Sequence, residues 1–196
     1  MGELTLKKYA IFTCLVLLLV SGCANEPTIR QIDADRIIRA YTFEELVEVS
    51  DLIVKAKVLP GKVNKEDTPE VGGHTITKLQ VLEASKGHID PDKIVTITEG
   101  YYQDKDGIWT YGNYLPANEN QEYIFFLMKY GAKSYWSGMY YPTDLERGKY
   151  SLNDSILDNL DTIDKLSDAD LEIWKDPNNE YRQWYKQVVE KYYPNH

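Results

Sequence analysis

The stretch that decides the fold is Leu52–Val58, which reads LIVKAKV. Its two lysines share one face of an extended chain, and the alternate positions on the other face are apolar: Leu52, Val54, Ala56 and Val58. A period of two residues is typical of a β-strand with one buried face. A Pro-Gly pair at positions 60–61 follows and predicts a turn, so this strand should lead into another.

More short strand-like runs follow Leu52–Val58 along the chain. Asp106-Gly107 is a hairpin signal, and Tyr123–Met128 (YIFFLM) is apolar on both faces, which suits a central strand. The polar segment 62–73, with one proline and two adjacent glycines, predicts a mobile loop. Together these patterns predict about six or seven strands, which include His74–Ala84, Ile94–Thr98, Ile108–Tyr111, Tyr123–Met128, Tyr135–Tyr141 and Gly148–Leu152.

Helical patterns flank the strands on both sides. Thr42–Ser50 predicts a short helix that begins with a capping box formed by Thr42 and Glu45. After Asn153 the apolar period changes to 3.6, and Ser167 predicts the cap of a second short helix. The last helix has the best amphipathic stripe of the chain, and we expect it to pack on the strands; the stripe comprises Tyr181, Trp184, Tyr185, Val188, Val189 and Tyr192.

The element order predicts an α+β protein, because one helix comes first, the strands follow together and the other helices come last. Many short strands with turn signals favour a small barrel. The expected architecture is an OB-like β-barrel over residues 31–153, preceded by a short helix and followed by a helical segment, 154–196, packed on it.

Several of these segments resemble the OB-type barrel of netrin-like and metalloprotease-inhibitor domains in exported bacterial proteins. The resemblance implies the fold and no functional residue. Where the family pattern has a glycine before the last strand, this chain has Asn120-Gln121, and asparagine can also adopt the left-handed conformation. Inhibition through a disulfide-bonded N-terminal cysteine is not expected, because the mature chain has no second cysteine. The segments are Val49–Val58, Lys78–Gly87, Lys93–Gly100 and Asn120–Leu127.

The N-terminus has the features of a bacterial lipoprotein signal peptide over residues 1–22. Two lysines precede an apolar run of roughly 10–13 residues, which is short of the roughly 20 that a spanning helix needs. Val20-Ser21-Gly22-Cys23 is similar to a lipobox, so we expect acylation of Cys23 and cleavage before it. Two acyl chains on one cysteine hold a protein stably in a membrane, whereas a single chain binds only marginally. The expected product is held at the extracytoplasmic side of the cell membrane by a tether, 23–30.

Charge and cysteine content narrow the classes of partner. The chain carries 22 Lys and Arg against 31 Asp and Glu. An acidic surface without a basic, aromatic-interleaved patch argues against nucleic-acid binding. Because Cys14 leaves with the signal and Cys23 is acylated, no thiol remains for catalysis or a metal site. No nucleotide, metal-protease or esterase motif occurs, which predicts no cofactor and favours a non-catalytic role.

Two acidic strings have both a cation-binding and a structural interpretation. His88, Asp90 and Asp92 form an H-x-D-x-D pattern whose oxygens suit a hard cation. Turns need the same residue types. Asp104-Lys105-Asp106-Gly107 lacks the distal glutamate of an EF-hand loop. We favour a turn in both places.

Tyrosine and tryptophan concentrate in two stretches, around positions 101–114 and 135–141. Such side chains suit glycan stacking and protein contacts, and equally suit β-sheet cores. The candidate ligand-binding aromatics are Tyr101, Tyr102, Trp109, Tyr111, Trp136 and Tyr140.

Three functions remain open from the sequence. The first is a surface-anchored, non-catalytic domain that binds a protein or a cell-wall glycan. The second is a cell-wall or peptide hydrolase that uses carboxylates. The third is a structural lipoprotein that docks to an envelope assembly through its last helix.

Overall fold

The computed structural model describes residues 28–32, 40–68, 72–173, 175–176 and 178–194. The predicted signal peptide and Cys23 lie outside these ranges. The described strands are β1 (Ile29–Ile32), β2 (Leu52–Val58), β3 (Val63–Thr68), β4 (Gly72–Lys86), β5 (Ile94–Glu99), β6 (Tyr101–Asp104), β7 (Gly107–Tyr111), β8 (Glu122–Lys129), β9 (Tyr140–Pro142) and β10 (Lys149–Ser151). The helices are α1 (Phe43–Val49), α2 (Asp154–Leu157), a 3₁₀ helix (Leu160–Lys165) and α3 (Glu180–Tyr192).

Five strands close a small barrel in the order β8-β2-β4-β5-β9, and β9 pairs back onto β8. The β5–β9 pair is parallel, whereas the other pairs of the ring are antiparallel. Strand β10 extends the sheet beside β8, and β3 extends it beside β4. The predicted α+β fold with an OB-like barrel is therefore confirmed.

The barrel interior matches the alternation read from Leu52–Val58. Val54, Leu79, Val81 and Phe125 are all fully excluded from solvent and belong to one apolar cluster. Val54 lies opposite Phe125 on β8 and opposite Ala84 on β4. The period of two thus identified the correct inward face on neighbouring strands.

A second apolar core lies outside the barrel, between β8 and the helices. Ile124 and Phe126 face it from β8, since the strand is buried on both sides as its YIFFLM pattern predicted. Helix α3 buries Trp184, Tyr185 and Val188 in the same cluster. The predicted packing of the last helix on the strands is confirmed.

Helix α1 begins as its capping signal predicted, with one difference. The Thr42 hydroxyl oxygen accepts a hydrogen bond from the Glu45 N–H at 3.1 Å. The Glu45 carboxylate accepts from the N–H of Tyr41, at 2.9 Å, rather than from that of Thr42. Tyr41, the residue before the N-cap Thr42, therefore donates the second hydrogen bond of this capping arrangement.

The loop predicted over 62–73 is wrong, because most of it forms the β3–β4 hairpin. The hydrogen bonds between paired strands come from the backbone, so a segment with polar side chains can still form a strand beside β4. Gly73 allows the close packing here: a Cβ at this position would lie 2.6 Å from the Lys65 carbonyl oxygen and 2.9 Å from the Tyr102 ring.

Three other local expectations need correction. The strand predicted over Tyr135–Tyr141 is only Tyr140–Pro142. Ser167 begins a turn instead of a helix, since Glu172 adopts the left-handed conformation (φ 56°), which an α-helix does not continue through. Ile29 and Arg30, assigned to the tether, pair with β7. Asn120 has the left-handed conformation expected of it (φ 67°).

Candidate binding surface

A small sheet in the order β1-β7-β6 carries most of the candidate aromatics. Strand β6 follows β5 directly after Gly100, so this sheet continues the barrel wall beside the start of β4. Tyr102 lies opposite Trp109 in the β6–β7 register, and Tyr111 follows on the same side of β7. The pleat therefore places these three rings on one face of the sheet.

Three side chains form a ladder across this sheet. The Trp109 ring lies between Arg30 and Tyr102: the Arg30 guanidinium carbon is 4.9 Å from its centroid, and the Tyr102 centroid is 6.1 Å away at an interplanar angle of 5°. The Trp109 indole N–H donates to the Asp104 carboxylate at 3.0 Å. Because the rings stack on one another, the ladder presents mainly ring edges to solvent.

The second part of the surface joins residues distant in sequence. His74 of β4 stacks on Tyr111 with centroids 5.3 Å apart, and the Trp136 centroid lies 6.3 Å from that of His74. Tyr135 contacts Trp136 edge-on and is 85% exposed. We call the whole set the aromatic face; it comprises Tyr102, Trp109, Tyr111, His74, Trp136 and Tyr135.

The structure separates the remaining two candidates from this face. Tyr101 lies on the opposite side of β6 and is buried beside Tyr114, with ring centroids 6.4 Å apart. Tyr140 lies on β9, where the Lys129 ammonium is 5.9 Å from its ring. Four of the six candidates thus share one surface. Tyr135, from the second tyrosine-rich stretch, joins them, and so does His74, which the sequence did not mark as a binding residue.

Glu99 organises a buried polar cluster at one end of the barrel. Its side chain is fully buried, forms an ion pair with Lys62 at 2.8 Å and accepts hydrogen bonds from Thr77, from Tyr114 (2.6 Å) and from the Ala117 N–H (2.8 Å). Burial and the nearby Glu99 charge raise the pKa of the Tyr114 hydroxyl well above its usual value. Every Glu99 oxygen is therefore occupied by donors from the protein.

Lys149 and Glu172 continue this cluster. Burial lowers the pKa of Lys149, although Glu172 (3.8 Å away) and Glu99 oppose the shift. Glu172 accepts hydrogen bonds from Tyr123 (2.5 Å) and Ser151 (3.2 Å). This cluster is not among the sites predicted from the sequence. The one local signal is that Glu99 shares a side of its strand with Val95 and Ile97, which places it on the inward face.

The two acidic strings form turns. Asp92 has a left-handed backbone (φ 64°), and the Lys93 N–H donates to the Asp90 carbonyl. The Asp104 carboxylate accepts the N–H groups of Asp106 (2.7 Å) and Gly107 (3.1 Å). Among the residues that the structure describes, no three His, Cys, Asp or Glu side chains gather closely enough to hold a metal ion.

Comparison with protein-family models, curated proteins and solved structures finds no match for this chain. None of the helices in the described part of the chain combines the length and apolar character needed to cross a bilayer.

Proposed function

We propose that this chain is a lipid-anchored, extracytoplasmic protein with a non-catalytic domain that binds a protein partner through the aromatic face. The observation that carries the proposal is the assembly of six half-buried or exposed ring side chains, from three separate parts of the chain, on one side of a small sheet. Tyrosine and tryptophan are enriched in the contacts that dominate protein interfaces.

A protein suits this surface better than a glycan does. Sugar rings stack on free aromatic ring faces, whereas Trp109 has Arg30 and Tyr102 against it and Tyr111 has His74 against it. The surface offers ring edges, a tyrosine that is almost fully exposed, and polar tips. Such a mixture favours irregular contacts with another polypeptide.

The two other functions have less support. The carboxylates that converge in the barrel are Glu99 and Glu172; the first is sealed from solvent, and protein donors occupy both. Neither arrangement leaves a carboxylate free to act on a substrate. Docking through the apolar stripe of α3 is disfavoured because Trp184, Tyr185 and Val188 are already buried against the barrel.

The anchor rests on the lipobox pattern, Val20-Ser21-Gly22-Cys23. Four residues, 24–27, separate Cys23 from Thr28, so five Cα–Cα steps of extended chain place an acylated Cys23 at most about 18 Å from Thr28. The Thr28 carbonyl accepts the Ile108 N–H at 3.0 Å, which would bring the β6–β7 turn near the membrane. The Tyr111 end of the aromatic face would then lie further from it.

Mass spectrometry of the protein purified from bacterial membranes tests the anchor. We expect the mature chain to begin at Cys23 and to carry the mass of its acyl chains. Cys23→Ala should remain unprocessed, with residues 1–22 still attached. An unmodified residue 23 in the wild-type protein would overturn this part of the proposal.

Photo-crosslinking in the intact envelope tests the aromatic face. A photoreactive amino acid at Tyr135 should give a discrete crosslinked protein that is lost when Trp136→Ala is added. The matched control is the same probe at Tyr41, which is 83% exposed but lies outside the aromatic face. Equal products from both positions, or crosslinks to glycan alone, would contradict a protein partner there.

A further inference from the structure

Strand β1 is held to the small sheet by few contacts. It has four residues, and among the strands that the structure describes it pairs with β7 alone. None of its residues is buried: Ile29 and Ile32 are half-buried, and Arg30 and Gln31 are exposed. A segment with few buried apolar contacts belongs to the low-stability end of a fold and opens locally. Strand β1 can therefore leave β7 while the barrel stays folded.

The edge of β7 under β1 is shaped to receive an extended strand. The Ile108 N–H donates to the Thr28 carbonyl at 3.0 Å, and the Gly112 N–H donates to the Ile32 carbonyl at 3.3 Å. A Cβ at Gly107 would overlap the Thr28 carbonyl oxygen, so this glycine makes room for the backbone of the added strand. Without β1 these N–H groups would form a free sheet edge, which is a template for pairing with another chain.

Strand β1 also covers one margin of the aromatic face. In the β1–β7 register Arg30 lies opposite Trp109, and Ile32 lies opposite Tyr111. The Arg30 guanidinium carbon is 4.9 Å from the centroid of the Trp109 ring. The alternate residues of β1 point to the other side of the sheet. A strand that takes the place of β1 therefore gains backbone hydrogen bonds and contacts with two rings of the aromatic face together.

We propose that β1 is an exchangeable strand, and that an extended segment of the protein partner pairs with β7 in its place. The inference rests on the proposed function, since it states how the partner binds the aromatic face. The pattern of β1 indicates the chemistry of that segment: a cationic or aromatic side chain at the Arg30 position, over Trp109, and an apolar one at the Ile32 position, beside Tyr111. While β1 is paired it blocks the partner, so its contact with β7 is autoinhibitory.

Amide hydrogen exchange tests whether β1 leaves β7. The N–H groups of Ile108 and Gly112 donate to β1, whereas the neighbouring Tyr111 N–H donates to the Gly100 carbonyl on the other side of β7, at 2.9 Å. In the ¹⁵N-labelled full-length chain, the first two should exchange at least about tenfold faster than that of Tyr111, after correction for intrinsic rates. Equal protection of all three would show that β1 stays paired and would overturn the proposal.

A disulfide that fixes β1 tests whether the partner takes its place. Ile29 and Ile108 are register partners on the side of the sheet opposite the aromatic face. Ile29→Cys combined with Ile108→Cys can therefore lock the strand without altering the rings. We expect the oxidised double variant to give at least about tenfold less crosslink from Tyr135, and to recover it on reduction. Either cysteine alone is the control and should crosslink as the wild-type chain does.

The outcomes of the crosslinking separate the two proposals. An unchanged crosslink in the locked chain contradicts strand exchange alone, because the partner then binds while β1 is paired. A wild-type chain that gives no crosslink contradicts the proposed function and, with it, a partner strand at β7.

Discussion

Four groups stabilise the carboxylate of Glu99: the Lys62 ammonium, two hydroxyls and one backbone N–H. Removing one member of a buried ion pair is more costly than the pair is favourable, since the remaining charge stays desolvated. The Lys62 side chain is only 14% exposed, so it cannot simply turn to water. Loss of the Glu99 charge would therefore leave the Lys62 ammonium partly buried beside a neutral group.

Glu99→Gln should destabilise the folded chain by about 3–5 kcal/mol, because it leaves Lys62 uncompensated. Urea unfolding at neutral pH measures this free energy. Glu122→Gln is the matched control: Glu122 pairs with Lys55 at 3.1 Å but is 40% exposed, so its loss should cost about 1 kcal/mol or less. Adding Lys62→Met to Glu99→Gln should restore part of the stability. A cost for Glu99→Gln no larger than that of the control would refute the role of the buried charge.

At the scale of the element, α3 depends on tertiary packing. It has 13 residues, and its N-cap, Asn179, makes no side-chain capping bond. A helix of this length is marginal alone in water. Its apolar side is buried against Phe43 of α1 and Tyr150 of β10. The barrel therefore holds the helix, and the helix covers the outer face of β8.

Trp184→Ala should destabilise the protein by about 3–5 kcal/mol, the range for a large buried aromatic. Trp184 is 7% exposed, and its ring lies edge-on to the Phe43 ring with centroids 6.3 Å apart. Gln187→Ala, at an exposed position of α3, is the control and should change stability by less than about 0.5 kcal/mol. Thermal melts compare the two variants, and similar melting temperatures would show that α3 does not contribute through packing.

At the scale of the whole molecule, two cores share strand β8, and tyrosines line both. Burial raises the pKa of these hydroxyls above 10.0, the usual value, because the phenolate would lose its water. In the folded state they keep their protons at pH values where the unfolded chain loses them. The group comprises Tyr101, Tyr114, Tyr123, Tyr150, Tyr181 and Tyr185.

Stability should therefore be constant with respect to these tyrosines below about pH 10 and fall above it, by up to about 1.4 kcal/mol per pH unit for each tyrosine. Lys149 acts in the opposite direction, since its lowered pKa in the folded state adds stability as the pH rises towards 10.5. Because six tyrosines lower the free energy of unfolding above pH 10 and one lysine raises it, the net stability should fall. Absorbance at 295 nm and circular dichroism should show the buried tyrosines ionising together with unfolding. Full ionisation while the protein stays folded would contradict their burial.

The sequence by itself determined the local structure and the direction in which each strand faces. Leu52–Val58 identified the barrel side of β2, and YIFFLM identified β8 as a strand covered on both faces. The Thr42 signal located the start of α1, and the stripe around Trp184 identified the buried side of α3. These features depend on neighbours within a few residues, so periodicity and capping suffice to predict them.

Only the tertiary structure decided which distant groups meet. The β3–β4 hairpin forms because a backbone ladder is available beside β4, which a polar sequence does not signal. Tyr111 lies against His74, 37 residues earlier. Glu99 forms an ion pair with Lys62, although β3, β4 and most of β5 lie between them in the chain. Arg147, in the segment after β9, likewise forms an ion pair with Glu180 of α3 at 2.7 Å. Pairing of strands and packing of elements that are distant in sequence create these contacts, and because they sum many weak interactions across the chain, no local pattern contains them.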